Sequence, residues 1–90
     1  MEIWLFGREE CPNCTVAKKN VAAFLEKNGI TESVKHNYYD MDTVDGLAEG
    51  AFNDVRSIPT TIITDNGEDI ARWDGVVPPQ EELSQKISEG

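Results

Sequence analysis

Ninety residues with seventeen acids against eight lysines and arginines carry a formal net charge of −9. That balance repels phosphates and anionic headgroups, which argues against nucleic-acid and anionic-membrane partners. A content of 39% hydrophobic and 28% charged residues is an ordinary globular mixture and argues against wholesale disorder. The length suits one compact domain over residues 1–90, and no Ser/Gly/Pro-rich linker or repeat divides it. Met1 leads straight into a few apolar residues, without a basic segment or a run long enough for a signal or spanning helix, so a cytoplasmic location is the expectation.

In chain order, residues 2–6 (Glu2 to Phe6) read as a buried strand, and Gly7-Arg8-Glu9-Glu10 reads as the turn out of it. A helix begins near Cys11 or Pro12, since proline fits a first helical turn. Ala17, Val21, Phe24 and Leu25 continue it at helical spacing, and Asn28-Gly29 supplies the stop with Ile30 just beyond. Val34 to Met41 has strand character. Asp42 is the expected N-cap of a second helix over Val44, Leu47, Ala48, Ala51 and Phe52, ending near Asn53. Ile58 to Thr64 and Glu68 to Trp73 form a hairpin across Asp65-Asn66-Gly67 and should be antiparallel. After Pro78-Pro79, the acids Glu81 and Glu82 suit a helix start, with Leu83 and Ile87 on its buried side.

The order is βαβαββα, an α/β arrangement in which a right-handed crossover makes the first two strands parallel and the closing hairpin makes the four-stranded sheet mixed. Three helices flank it. The expected core is Ile3, Leu5, Val21, Phe24, Leu25, Leu47, Phe52, Ile62, Ile70, Leu83 and Ile87.

Cys11-Pro12-Asn13-Cys14 holds both cysteines of the chain. Two thiols separated by two residues at a helix start can open and close as a disulfide, and the helix N-terminus favours the thiolate of the first. Half a structural metal site is the competing reading. It lacks a second cysteine pair, and the one histidine, His36, is distant in sequence and reads as a strand side chain. A cluster shared by two chains stays open.

With CxxC after strand one, Arg56-Ser57-Ile58-Pro59-Thr60 leading into strand three, and Gly75 after the last strand, the chain resembles the thioredoxin and glutaredoxin superfamily over essentially its full length. The short N-terminus, the CPNC sequence and Arg8, where many glutaredoxins carry a lysine for glutathione, are similar to glutaredoxin. Ser57-Ile58-Pro59 and the absence of a Gly-Gly-acid segment after strand four are closer to thioredoxin. Trp73-x-Gly75-x-x-Pro78 resembles in part the tail of small redoxins that serve ribonucleotide reductase. The thioredoxin tryptophan before the first cysteine is Glu10 here, and its buried carboxylate is Leu5.

This resemblance implies a thioredoxin-like fold and a cytoplasmic dithiol–disulfide oxidoreductase of cell redox homeostasis and electron transport, with Cys11 as nucleophile and Cys14 as resolving thiol. It implies a cis Pro59 that faces the cysteines and offers the Ile58 backbone for strand-like pairing, where the plainer reading is a turn that starts a strand. Arg8, Pro12, Asn13, Ile58, Pro59, Gly75 and Val76 are the expected substrate contacts, with Val77 beside them. Ordinary core and loop packing is the alternative for the apolar ones. Trp4 and Trp73 are expected to pack. Arg8 favours the Cys11 thiolate if it points inward, whereas Glu9 and Glu10 oppose it.

The implied partners are protein disulfides and an electron donor, either a thioredoxin-type reductase or glutathione, with a monomeric chain and no bound cofactor or metal beyond the cysteines. A glutathione-dependent glutaredoxin is the enzymatic alternative. A noncatalytic binding module using the same proline groove and a dimeric iron–sulfur carrier are the others.

Overall fold

The computed structural model describes residues 1–89. Its elements are β1 (Glu2–Gly7), α1 (Pro12–Lys27), β2 (Lys35–Asp40), α2 (Val44–Phe52), β3 (Thr60–Asp65), β4 (Glu68–Asp74) and α3 (Gln80–Glu89). The sheet order is β2-β1-β3-β4, with β1 and β2 parallel and the other neighbours antiparallel. Both the βαβαββα order and the mixed sheet match the expectation. Gly7 differs: it is still paired to Asp40 in the ladder, so β1 runs into what the sequence marked as turn.

Local signals set most boundaries. Gly29 at φ +64° closes α1, with its N–H donating to the Glu26 carbonyl and that of Ile30 to Leu25, so the orphan carbonyls of the last turn are satisfied. Asn66 and Gly67 both take positive φ, the turn that matches the twist of two antiparallel strands. Pro78 is fully buried, and the Pro79 carbonyl accepts the Leu83 N–H at 3.0 Å to open α3.

β1 is central and buries both faces. Ile3, Val21, Phe24, Leu25, Val34, Ile63 and Leu83 form the larger core beneath α1 and α3. Asn20 joins these helices, donating to the Pro78 carbonyl and accepting from Gln80. Phe6, Met41 and Ile62 form the smaller core on the opposite face, extended by Trp4, Tyr39, Val55 and Ile58. Tyr39 stacks between Trp4 and Phe6 at centroid distances of 5.6 and 5.4 Å. Trp4 and Trp73 pack as expected, and their indoles donate to Thr64 and Glu82.

α2 departs from the sequence reading in two ways. Its N-cap is Thr43, whose hydroxyl accepts the Gly46 N–H at 3.0 Å and donates to the Asp40 carbonyl; Asp42 is one residue too early and pairs elsewhere. Leu47 and Phe52, expected in the core, are 51% and 87% exposed. The buried residues of this helix are Gly46 and Gly50. A Cβ on Gly46 would collide with the Asp40 carbonyl, and one on Gly50 would come within 2.8 Å of Met41 Sδ. The backbone of α2 thus lies directly on the end of β2, and its larger apolar residues are turned outward. Arg72 of β4 ties down the far end, donating to the carbonyls of Asn53 and Asp54 at 2.7 and 2.8 Å. Ile70 and Ile87 lie at the core margin, half-buried.

Gly46→Ala should therefore destabilise the fold by about 1–3 kcal/mol through overpacking. Phe52→Gln should change it by less than about 0.5 kcal/mol. Chemical denaturation of both variants checks the inverted helix face, and equal losses would contradict it.

His36 on β2 is half-buried, its Nε2 has no hydrogen-bond partner among the described residues, and burial, then the nearby Lys18 charge, lowers its pKa from 6.5. The unfolded chain binds that proton more readily, so the His36 contribution is fully present above the unfolded value. It is lost as pH falls from there through the lowered folded value. Thermal melts between about pH 7.5 and pH 5.5 should show a decline that His36→Gln reduces.

Candidate functional site

The site begins with the cap of α1. Cys11 is the N-cap residue in extended conformation, and Pro12 occupies the first helical turn, where its missing N–H costs nothing. The Cys14 N–H donates to Cys11 Sγ at 3.1 Å. An orphan donor of the helix end is thus aimed at the first sulfur, which favours its thiolate when the pair is reduced. Here the two sulfurs are joined as a Cys11–Cys14 disulfide with Cα atoms 5.2 Å apart. They differ in access: Cys11 is half-buried, while Cys14 is 0% exposed.

Cys14 owes its burial to Gly7. A Cβ on Gly7 would stand 2.8 Å from Cys14 Cβ, 3.0 Å from its sulfur and 3.1 Å from the Tyr38 hydroxyl. Only a strand without a side chain at this point lets the first turn of α1 come so close.

Ile58–Pro59 is a cis peptide, as the resemblance implied, and Pro59 is fully buried. Gly75, at φ +72°, donates its N–H to the Pro59 carbonyl at 2.8 Å, and a Cβ there would meet Ser57 Oγ at 3.2 Å. Thr60 Oγ1 donates to the Ser57 carbonyl. Segments 57–60 and 75 are thereby fastened together. Among the described residues, the Ile58 backbone N–H and C=O have no protein partner. A groove of about 190 Å³ lined by Arg8, Met41, Val55, Arg56, Ser57 and Ile58 separates this segment from the loop that leads to Cys11.

Arg8 lines that groove but does not turn inward to the sulfurs. It is exposed, with Nε 3.2 Å from Asp42 Oδ1, and the Cys11 N–H donates to its carbonyl. Glu9, Glu10, Pro12 and Asn13 are exposed around the cap, and Val76 is 53% exposed, whereas Val77 is half-buried. The Ile58 side chain packs on the smaller core and borders the groove. Sequence reasoning missed Gly7, Tyr38 and the Arg8–Asp42 pair. A glycine at the end of an otherwise apolar strand, directly before a CxxC helix, was the available signal for the first. Among the described residues, no group of three or more His, Cys, Asp or Glu is arranged to hold a metal.

Gly7→Ala should force the first turn of α1 off β1, costing about 1–3 kcal/mol and making Cys14 more accessible to alkylation after reduction. Denaturation and alkylation kinetics together check this, and a buried Cys14 at full stability would contradict it.

A family model described as "Thioredoxin domain" matches residues 1–88. Among solved structures, thioredoxin 1 from Thermosipho africanus superposes with a TM-score of 0.79 at 19% identity, covering 99% of this chain and 92% of its own. Thioredoxin-2 of a malaria parasite gives 0.82 at 21%, covering 99% and 82%, and thioredoxin O2 from Arabidopsis thaliana gives 0.77 at 16%, covering 98% and 72%. No curated protein sequence matches the chain. Since the family match spans nearly every residue and the helix cap carries a closed Cys11–Cys14 pair on that fold, the chain belongs to the thioredoxin family and is a thiol–disulfide oxidoreductase.

Proposed function

We propose that this chain is a cytoplasmic, monomeric reductase of protein disulfides, recycled by a flavin-dependent thioredoxin-type reductase. The observation that carries the reading is the unequal access of the two sulfurs: Cys11 half-buried at the helix cap, Cys14 sealed beneath it. Cys11 thiolate attacks one sulfur of a substrate disulfide; a Cys11–substrate bond forms, the substrate bond breaks, and the first substrate thiolate leaves and takes a proton from water. Cys14 thiolate then attacks Cys11 Sγ, forming Cys11–Cys14 and releasing the second substrate thiolate. Two electrons pass from the dithiol to the substrate.

An extended substrate segment pairs with the open Ile58 backbone, and Gly75 allows it to approach while Val76 offers apolar contact. The acid surplus favours substrates with basic surroundings. Arg8, the residue that would meet glutathione by resemblance, is engaged by Asp42, which favours the protein-substrate reading over the glutaredoxin one.

Cys11→Ser should abolish turnover of a disulfide-bonded protein, and Cys14→Ser should accumulate mixed disulfides detectable by mass; retained turnover in the Cys11 variant would sink the assignment. Equilibration with glutathione and dithiothreitol buffers should give a potential near about −270 mV without a persistent glutathione adduct. A value of about −200 to −230 mV with a Cys11–glutathione adduct would move the assignment to glutaredoxin.

A further inference from the structure

The resolving step asks a fully buried sulfur to act as a thiolate, although burial pushes a thiol toward its protonated, unreactive form. Leu5, fully buried on the same strand as Gly7, has no group that could compensate. The α1-facing row of the β1–β2 pair holds Ile3, Leu5 and Gly7 beside His36, Tyr38 and Asp40. Gly7 is the gap in that row. Cys14 Sγ and Tyr38 Oη lie 3.0 and 3.1 Å from the point where its side chain would begin. Both atoms border one small space; among the described residues no direct hydrogen bond joins them, and a single water is enough to bridge the gap.

Resting on the reading of Cys14 as resolving thiol, the geometry points to the Tyr38 hydroxyl as the hydrogen-bond donor that, through one bridging water, stabilises the Cys14 thiolate as it attacks the Cys11 mixed disulfide. Lys18 Nζ stands 4.4 Å from the Tyr38 ring centroid and holds the ring against α1. Burial first, then the negative charges of Asp40, Glu9 and Asp42, raise the phenol above 10.0, so it keeps its proton and remains a donor. Tyr38 also lines a groove of about 450 Å³ that holds Arg8, Lys18 and Lys19 with Glu9 and Asp40 and opens to solvent, the acceptor for the proton that Cys14 gives up. During the attack the Cys11–Cys14 bond forms, the Cys11–substrate bond breaks with its electron pair on the substrate sulfur, and Tyr38 keeps its own proton. A hydrogen bond to the charged form favours that form.

Tyr38→Phe retains the ring and its contact with Lys18 while removing the donor. Reduced protein is mixed with an aromatic disulfide reagent that releases one coloured thiolate when Cys11 attacks and a second when Cys14 resolves the adduct. In Tyr38→Phe the second release should be about tenfold slower near neutral pH, with its pH profile displaced to higher pH and the first release unchanged. An unchanged second release, or equal slowing of both, would overturn the inference. Cys14 is also titrated by alkylation in Cys11→Ser, with and without Tyr38→Phe. A higher Cys14 pKa in the double variant supports the hydrogen bond, and equal values reject it. This arm is independent of turnover: if the unaltered chain released no second thiolate, the disulfide reading would fail while the Cys14 titration still decided the role of Tyr38.

Discussion

The close approach of the first turn of α1 to β1 is the contact on which the rest of the site depends. Gly7 has no side chain, so Cys14 packs directly against the central strand and is sealed from solvent. Cys11, one helical turn earlier, is left at the cap with partial access and a helix N–H aimed at its sulfur. The division between an accessible and a sealed sulfur follows from the position of one helix, with no special chemistry in either cysteine.

A second close approach shapes the opposite face. Gly46 and Gly50 let α2 lie on the end of β2, where Thr43 caps it from below and Arg72 caps its carbonyl end from β4. This fixes Met41 and Val55, which with Ile58 form one wall of the groove beside the Arg8 loop. Segments distant in sequence meet there through short polar links, Gly75 to Pro59 and Arg8 to Asp42, while Thr60 to Ser57 closes the proline turn itself. Each link satisfies a backbone group or neutralises an exposed charge, so the loops around the cysteines are positioned by ordinary hydrogen-bond demands.

Charge is distributed unevenly around this frame. The acid surplus dominates the molecule, yet Arg8, Lys18 and Lys19 gather along the groove between α1 and β2. Arg8 is balanced by Asp42, and Lys18 lies over the Tyr38 ring. Glu9 and Asp40 line the same groove, so the charges beside the cysteine pair are mixed in sign on a chain whose long-range field is negative.

The chain itself determined the element order, the parallel first pair, the closing hairpin and the redox pair, because each rests on short-range rules: period of apolar residues, proline and glycine at helix ends, Asn66-Gly67 in a tight turn. Tertiary structure alone decided which face of α2 is buried. Its apolar pattern pointed Leu47 and Phe52 inward, but the space above β2 admits only a backbone, so Gly46 and Gly50 took those places. The same holds for the partner of Arg8 and for the meeting of Gly7, Cys14 and Tyr38, residues from three elements that no local spacing connects. Periodicity reports what a helix could bury, whereas the distance between packed elements determines what it does bury.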